Sequence, residues 1–338
     1  MKVIHILDNK FDAYWKEGLM NIPGATPMYS SGVRKYDRAL FLDKLKRDDS
    51  FIVFSDSAEV AAIVPLYCFE DESGLLQYRY GEEYLRSPII HSLPDTNEHK
   101  KIQKFIFSYI EELAKKNSVS ALKAMIEGEG LIEGRHYYNW LTDFGYVDES
   151  SVCQLISCSE DSKALWADLR KSYKPLINKA AKNFEHETVF HSNYSFEKCE
   201  DYRKLHFKAA GRQTRSEESF RLMYEMIKNK EAFISLVKQK DGRPVAAHFF
   251  FVLNKYCLYA SSAVDPELPA DNGIGHMGLW QSIVTACNMG CRFIDMGQLW
   301  VNPNPSEKER NIALFKKGFG GHTVAVFRGT KNFRGVLK

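Results

Sequence analysis

One succession of patterns occurs twice along this chain, and it limits the fold more than any single motif does. Phe51-Ile-Val-Phe-Ser-Asp56 is a β-rich run, and polar turn residues separate it from Val60-Ala-Ala-Ile-Val64. Phe233-Ile-Ser-Leu-Val237 is another, and the turn Lys240-Asp-Gly-Arg-Pro244 separates it from Val245-Ala-Ala-His-Phe249. Each pair reads as a hairpin of two strands. After the first hairpin comes a helical pattern over Glu98–Lys116, with Ile102, Phe105, Ile106, Tyr109, Ile110 and Leu113 on one face. A strand at Val119–Ile126, a short helix, the turn Phe144-Gly145-Tyr146 and a strand through Ile156 complete the first pass. After the second hairpin come a helix from about His276 to Met289, a strand at Arg292–Met296, a helix over Glu307–Lys317, the turn Phe319-Gly-Gly321 and a strand through Phe327. The intervals are alike as well as the order. With 338 residues the chain is long enough for two domains. The reading is therefore an α/β (α+β) protein of two tandem domains, each a mixed, twisted sheet flanked by helices. The polar run Ser159-Glu-Asp-Ser162 divides it into 1–160 and 161–338. Helical stretches at Ser162–Asn183, Phe196–Ala209 and Glu217–Lys228 connect the halves and cover the second sheet.

Composition narrows the class. Lys plus Arg is 46 against 43 for Asp plus Glu, a net charge of +3, where a dedicated nucleic-acid binder carries a stronger basic excess. A local basic stretch is present at Arg170, Lys171, Lys174, Lys179 and Lys182, a pattern that usually marks a solvated face. The seven cysteines are odd in number, scattered and free of any CxxC pair, so neither a zinc ribbon nor a disulfide scaffold is expected. Reduced thiols and a cytoplasmic location fit them. The apolar run Val3–Leu7 is too short for a signal peptide, and the Val245–Leu253 run is far below membrane-spanning length. No Walker loop, HExxH or nucleophile triad order appears.

Chemistry can sit at four places. Asp271-Asn-Gly-Ile-Gly-His276 lies between the strand Tyr256–Ala263 and a helix start, where glycines let backbone N–H groups approach an anion. A turn with no ligand explains it equally well. Asp295 ends the apolar strand Arg292–Met296, placed to accept a proton from an attacking amine or simply to cap a turn. Lys316 and Lys317 stand in the last turn of a helix that opens on a Ser306–Glu309 capping box. There the helix dipole alone favours cations, and Lys316 is the better candidate for reaching inward. Arg212 and Arg215 share one short connection, and Arg recognises carboxylate or phosphate in bidentate fashion. His248 reads as a hydrogen-bonded core residue, and Cys287 and Cys291 as packing.

The stretches Ala209-Ala-Gly-Arg-Gln-Thr-Arg-Ser216, Pro244-Val-Ala-Ala-His248, Gly273-Ile-Gly-His276, Phe293-Ile-Asp-Met-Gly297 and Phe315-Lys-Lys-Gly-Phe-Gly320 together resemble the FemAB-like branch of the GNAT acyltransferase superfamily. The resemblance is specific over Ser162–Phe327 and looser before it. It implies tandem GNAT-like domains, the donor site in the second, and N-acyl transfer from acetyl-CoA or another acyl-CoA to an amino sugar or other cell-envelope precursor. The alternative it implies is an aminoacyl group from charged tRNA, passed to a peptidoglycan-type precursor, with the basic stretch on the tRNA. A noncatalytic binding protein of the same fold is the competing class. In this reading Asp295 is the favoured base, His276 the second and Lys316 the neutralising cation. Tyr259, Ser261, Asn272, Gly273, Ile274 and Gly275 line the donor, and Arg212 and Arg215 hold the acceptor, a small or nucleotide-linked amino sugar. No metal is called for, and nucleic acid is a partner only if tRNA is the donor. The sequence departs from the usual GNAT pattern at Ala270, where the pyrophosphate loop ordinarily starts with Gln or Arg.

Overall fold

The computed structural model describes residues 1–22, 24–159, 161–299 and 304–333. In the first half the strands are β1 (Lys2–His5), β2 (Leu45–Asp48), β3 (Phe51–Phe54), β4 (Val60–Val64), β5 (Tyr67–Glu70) and β6 (Leu76–Tyr78), then β7 (Leu85–Arg86), β8 (Ile89–Ile90), β9 (Val119–Ile126), β10 (Val147–Asp148) and β11 (Ser151–Ser157). Its helices are α1 (Phe11–Asn21), α2 (Ser31–Leu40), α3 (Asn97–Lys116) and the single turn α4 (Glu129–Ile132). The second half runs α5 (Ser162–Asp168), α6 (Tyr173–Asn183), β12 (Glu185–Val189), α7 (Phe196–Ala210), α8 (Glu217–Lys228), β13 (Ala232–Lys238), β14 (Pro244–Leu253) and β15 (Tyr256–Val264). It closes with α9 (Ile274–Asn288), β16 (Phe293–Gln298), α10 (Glu307–Lys317) and β17 (His322–Asn332).

Local chemistry explains the boundaries. The Thr96 hydroxyl accepts from the His99 N–H at the start of α3, Lys115 and Lys116 stand at its negative end, and Ile102, Ile106, Ile110 and Leu113 are buried along one face. Ser216 caps α8 through the Ser219 N–H, and Ser306 with Glu309 forms the expected capping box on α10. Pro175 falls in the first turn of α6, where its missing N–H costs nothing.

Two units result, and they are discontinuous in sequence. The first comprises Met1–Ser31, Phe41–Val152 and Ala325–Lys338; the second comprises Gly32–Leu40 and Cys153–Val324. The single cut at residue 160 therefore misses two exchanges. Strand pairing causes one: residues Phe327–Asn332 of β17 pair antiparallel with Ile126–Ala121 of β9, while β11 pairs antiparallel with β16 from Cys153 to Ser157. Packing causes the other, because Tyr36 of α2 lies edge-on to Phe251 of β14, ring centroids 6.0 Å apart, and counts with the second unit.

In the first unit β1, β3, β4 and β8 form one antiparallel sheet, and β9 carries β17 on one side and β6 and β7, both parallel to it, on the other. Phe51, Ile106, Ile110, Val119 and Leu141 lie in its core. In the second unit the order is β12-β13-β14-β15-β16-β11. Among the described residues there only β15 and β16 run parallel, and a parallel pair needs a crossover, which α9 supplies. Phe233, Phe250, Leu279, Ile283 and Ile294 lie in the core against it. Matching β1, β3, β4, β8 with β7, β9 and β17 to β12, β13, β14, β15, β16 and β11 shows one plan used twice. This is a tandem α/β fold of two similar repeats.

Candidate functional site

In the second unit the parallel pairing of β15 with β16 lasts only from Tyr256–Leu258 against Phe293–Asp295. Among the described residues β15 has no ladder partner on that side from Tyr259 onward, so the two strands part there. On its other side β15 keeps pairing with β14, but Phe249 faces Ser261 while Phe250 faces Tyr259, which leaves Ala260 as a bulge. Bulges re-aim a strand next to the point where it must meet a ligand. The bulge follows the last paired residue of the β15–β16 ladder by two positions.

Asp295 stands at the last position of β16 that pairs with β15, opposite Leu258 on that side and Leu155 of β11 on the other. Its Oδ1 accepts the Gly297 N–H at 2.6 Å, and Gly297 has φ +82°, so the carboxylate caps a glycine kink in the strand. Lys316 reaches inward over the same kink: its Nζ donates to the Gln298 carbonyl at 2.9 Å and would stand 3.1 Å from a Cβ placed on Gly297. Burial pushes the Lys316 ammonium below its usual range, and the charge of Asp295 partly restores it. Lys317 is exposed. A carboxylate and a partly desolvated ammonium thus share the end of the parallel ladder.

His276, in the first turn of α9, sits in an aromatic box. Its ring centroid is 4.4 Å from that of Tyr173, 5.1 Å from Phe315 and 6.3 Å from Phe319. Burial, followed by the positive charge of Arg170, lowers its pKa. The glycines before it have a structural explanation that sequence reading could not supply. Gly273 adopts φ +77°, and a Cβ there would lie 2.3 Å from the Leu176 carbonyl oxygen of α6. Asn272 Oδ1 accepts the Ile274 N–H at 2.9 Å, and the Gly273 carbonyl takes the Met277 N–H. The close approach allowed at Gly273 is therefore to a backbone carbonyl, and one of the amides expected for an anion is already spent. Gly275 is less constrained, its added Cβ meeting Val264 Cγ2 at 3.4 Å.

Of the two arginines, Arg215 is drawn in and Arg212 is not. Arg215 Nη1 lies 3.1 Å from His206 Nε2 and 3.4 Å from Ser261 Oγ on β15, with the Tyr202 hydroxyl at 3.5 Å and Tyr36 a further partner. Burial and the positive charge of Arg215 push His206 down to about 4. Burial pushes Tyr259, the neighbour of the bulge, up to about 12. Arg212 is exposed and, among the described residues, makes no hydrogen bond or ion pair. Tyr36, Tyr202 and His206 were missed in the sequence. The i, i+4 spacing of Tyr202 and His206 on one helix face was the available signal for two of them; Tyr36 is too distant in sequence to give one. Within the basic stretch, Arg170 donates to the Leu314 carbonyl, Lys174 to Ala167 and Lys179 to Asp271, while Lys171 and Lys182 are exposed. Of the run Leu299-Trp-Val-Asn-Pro-Asn-Pro305, which reads from sequence as a loop, residues 300–303 lie outside the described residues.

One expectation about the interior needs correction. His248 is buried, but neither ring nitrogen has a hydrogen-bond partner, and burial pushes its pKa down to about 3. It fits because Gly278 faces it, where a Cβ would lie 2.6 Å from its Nε2.

Residues 177–302 match the model of an acetyltransferase (GNAT) domain. This segment is similar to a GNAT-type domain. Solved structures extend the likeness over the whole chain: FemX, at 12% identity, covers 97% of each chain with a TM-score of 0.68. L-PGS from Bacillus licheniformis, also at 12%, covers 89% of this chain and 92% of its own with a TM-score of 0.56. A tandem GNAT protein from the clavulanic acid biosynthesis pathway, at 14%, covers 98% of each chain with a TM-score of 0.51. No curated protein matches in sequence. At these identities the structures speak for the fold. The domain match goes further only at a coarse level, to similarity with acyltransferases of the GNAT type. No helix among the described residues is long and apolar enough to cross a membrane.

Proposed function

We propose that the chain transfers an acyl group to an amine at the point where β15 and β16 part. The observation that carries this reading is the coincidence, at the end of a three-residue parallel ladder, of a bulged β15, the Asp295 carboxylate and the Lys316 ammonium. The acceptor nitrogen attacks the donor carbonyl carbon, and Asp295 takes the N–H proton on or before attack. Backbone N–H groups on the unpaired side of β15 stabilise the oxyanion. Collapse of the tetrahedral species breaks the bond to the donor's leaving group. Lys316 neutralises negative charge on donor or acceptor, and Arg215, anchored at Ser261, holds an acceptor carboxylate or phosphate. His276, boxed by aromatic rings, is a wall rather than the base. The acceptor class that the family resemblance supplies is an amino sugar or another cell-envelope precursor.

Two donors suit such a site. The GNAT domain match goes with acyl-CoA. The start of α9 favours the second: with Asn272 on the Ile274 amide and the α6 backbone against Gly273, this loop has less to offer a pyrophosphate than a free helix start. An aminoacyl ester on tRNA, which needs no pyrophosphate seat, is the donor that the resemblance then leaves. Incubating the full chain with nucleotide-linked amino-sugar acceptors and either acetyl-CoA or charged tRNA, followed by mass spectrometry of the acceptor, tests both. Aminoacylated acceptor with tRNA alone supports the ester donor. Acetylated acceptor with acetyl-CoA reverses the donor assignment, and no product from any donor and acceptor, with ligands binding, removes catalysis.

A further inference from the structure

We propose that Cys158 and Cys287 of the second unit are a redox-modifiable pair, which a peroxide converts to a disulfide stapling the end of β11 to the end of α9. Four of the seven cysteines come together at one end of this unit's sheet. Cys158 follows β11, Cys257 lies on β15, Cys287 stands in the last turn of α9, and Cys291 is in the turn from α9 to β16. Backbone hydrogen bonds fix these positions against one another. The Cys158 N–H donates to the Arg292 carbonyl at 2.8 Å, and the Cys291 N–H to the Ala286 carbonyl at 3.2 Å. The Arg292 N–H donates to the Lys255 carbonyl at 2.7 Å, and Cys257, two residues on, faces Ile294 of β16. This is the closed end of the β15–β16 ladder, opposite the end where the strands part.

The side chains meet as two pairs. The Cys158 thiol donates to Cys287 Sγ, and the Cys257 thiol donates to Cys291 Sγ. Cys257, Cys287 and Cys291 are buried in the core of the unit, and Cys158, half-buried, packs against them. The first pair therefore reaches solvent through Cys158, while the second is enclosed. Within the first pair the roles differ. The S–H donated by Cys158, helped by the Ser159 N–H, holds Cys287 below the usual thiol range against the cost of burial. A thiolate, not a thiol, is the nucleophile toward an oxidant. Elsewhere burial pushes Cys68 up to about 11 and Cys199 up to about 12, so both stay thiols.

Hydrogen peroxide balances the step. The Cys287 thiolate attacks one peroxide oxygen, the O–O bond breaks, and the hydroxide released recovers a proton to become water. Cys158 Sγ then attacks the sulfenic sulfur of Cys287: the S–S bond forms, the S–O bond breaks, and the Cys158 proton leaves with that oxygen as a second water. Two thiols have lost two electrons, and the peroxide has gained them. The bond joins residues far apart in sequence, and the closed loop contains β12 to β15, with most of α9. A disulfide closing a long loop constrains the unfolded chain most, so the oxidised second unit should resist unfolding.

The test uses the full chain and does not depend on its activity. The reduced protein is treated with a slight excess of hydrogen peroxide, alkylated, digested and mapped by mass spectrometry, with a melting curve before and after. We expect the loss of two hydrogens, a peptide linking Cys158 to Cys287, and full reversal by dithiothreitol. The melting temperature should rise by at least about 4 °C on oxidation. Cys158→Ser should stop at the sulfenic acid of Cys287, which dimedone labels, with no rise in melting temperature. Cys287→Ser should leave Cys158 unlabelled, and Cys257→Ser should still form the link. The mapping of the parent chain stands even if a variant fails to fold. Peroxide that forms no disulfide, links Cys257 to Cys291 instead, or links Cys158 to Cys287 without raising the melting temperature overturns the proposal.

Discussion

The two units solve one topological problem in opposite ways. Each contains a strand that pairs in parallel with the next strand for a few residues and then leaves it, with a helix starting at the mouth. In the second unit β15 stays whole, holds β14 across a bulge, and has charged groups at the parting. In the first unit the corresponding strand breaks in two, β7 staying with β9 and β8 going to β4, and the parting becomes a cavity. The lesson is that the fold supplies the opening while local residues decide its use. Continuity of β15 concentrates backbone groups and a carboxylate at one point, as the proposed transfer requires; a broken strand leaves volume and aromatic walls.

The largest expected effect would break the catalytic side of that comparison. Asp295→Asn keeps the size and can still accept the Gly297 N–H, so the kink in β16 should survive. If the carboxylate takes the amine proton, turnover should fall by roughly 10²–10⁴-fold with donor affinity almost unchanged. If Asp295 only caps the kink, the variant will lose stability while its folded fraction turns over at a near-normal rate. Single-turnover kinetics beside a melting curve separates the two.

Much of this was legible in the sequence, and the reasons differ by element. The hairpins, α3 and α10 were readable because strand alternation, one apolar helix face and capping residues are local signals. The repeat was readable because the same signals recur in order. The exchanges of α2 and of the last strands were not, since pairing of β17 with β9 is a long-range choice that no window of sequence records. At the site, Asp295 and Lys316 could be singled out from a strand end and a helix end. The cluster around Arg215 could not be assembled, because Tyr36 is distant in sequence. The glycine-rich loop misled for a physical reason: Gly273 is demanded by the α6 backbone, and a sequence shows that a glycine is present without showing what approaches it.

Acid should sharpen the contrast in stability. In the second unit burial pushes His248 down to about 3 and His186 to about 4, and burial with the Arg215 charge pushes His206 to about 4; in the first, burial and the Arg135 charge push His136 to about 4. An unfolded histidine takes up its proton near pH 6.5, whereas these stay neutral in the fold until near their own lowered values. The unfolded state therefore binds more protons in that window. Stability is complete above about pH 6.5 and falls as the pH drops toward 3 or 4. For the fully buried His248 alone the slope approaches ~1.4 kcal/mol per pH unit. With more such groups, the second unit should lose hydrogen-exchange protection first on acidification. His248→Leu should make its acid limb shallower, and an unchanged slope would show that His248 does not titrate there.

The paired aromatic-glycine turns allow a smaller, cleaner comparison. Gly145 and Gly320 hold equivalent places in the repeat, with φ +79° and +85°. A Cβ on Gly145 meets nothing closer than Lys331 Cε at 3.9 Å, whereas one on Gly320 would lie 2.8 Å from Asp168 Cβ and 3.2 Å from its carbonyl oxygen. Gly145→Ala should therefore cost only the left-handed penalty, about 1–2 kcal/mol. Gly320→Ala should add an overpacking cost of about 1–3 kcal/mol. Equal losses in denaturant titrations would mean that the turn in the second unit relaxes as freely as that in the first.

The smallest effect concerns Arg212, and it separates charge that builds the second unit from charge that is merely displayed on it. Arg215 is tied to His206, Ser261, Tyr202 and Tyr36, so Arg215→Ala leaves polar groups on α7 and β15 without their partner. Losses of ~1–3 kcal/mol are usual when a buried partner is removed. Arg212, exposed on the same connection, should tolerate alanine within about 0.5 kcal/mol. Any larger consequence of Arg212→Ala must then appear in ligand binding. If the donor is tRNA, the loss should vanish at high salt, because a phosphate contact on an open surface works by releasing counterions. If Arg212 instead grips an acceptor phosphate, the weakening should follow the acceptor and disappear when a dephosphorylated acceptor is used. A variant whose stability, tRNA affinity and acceptor affinity all match the parent would remove Arg212 from the proposed site.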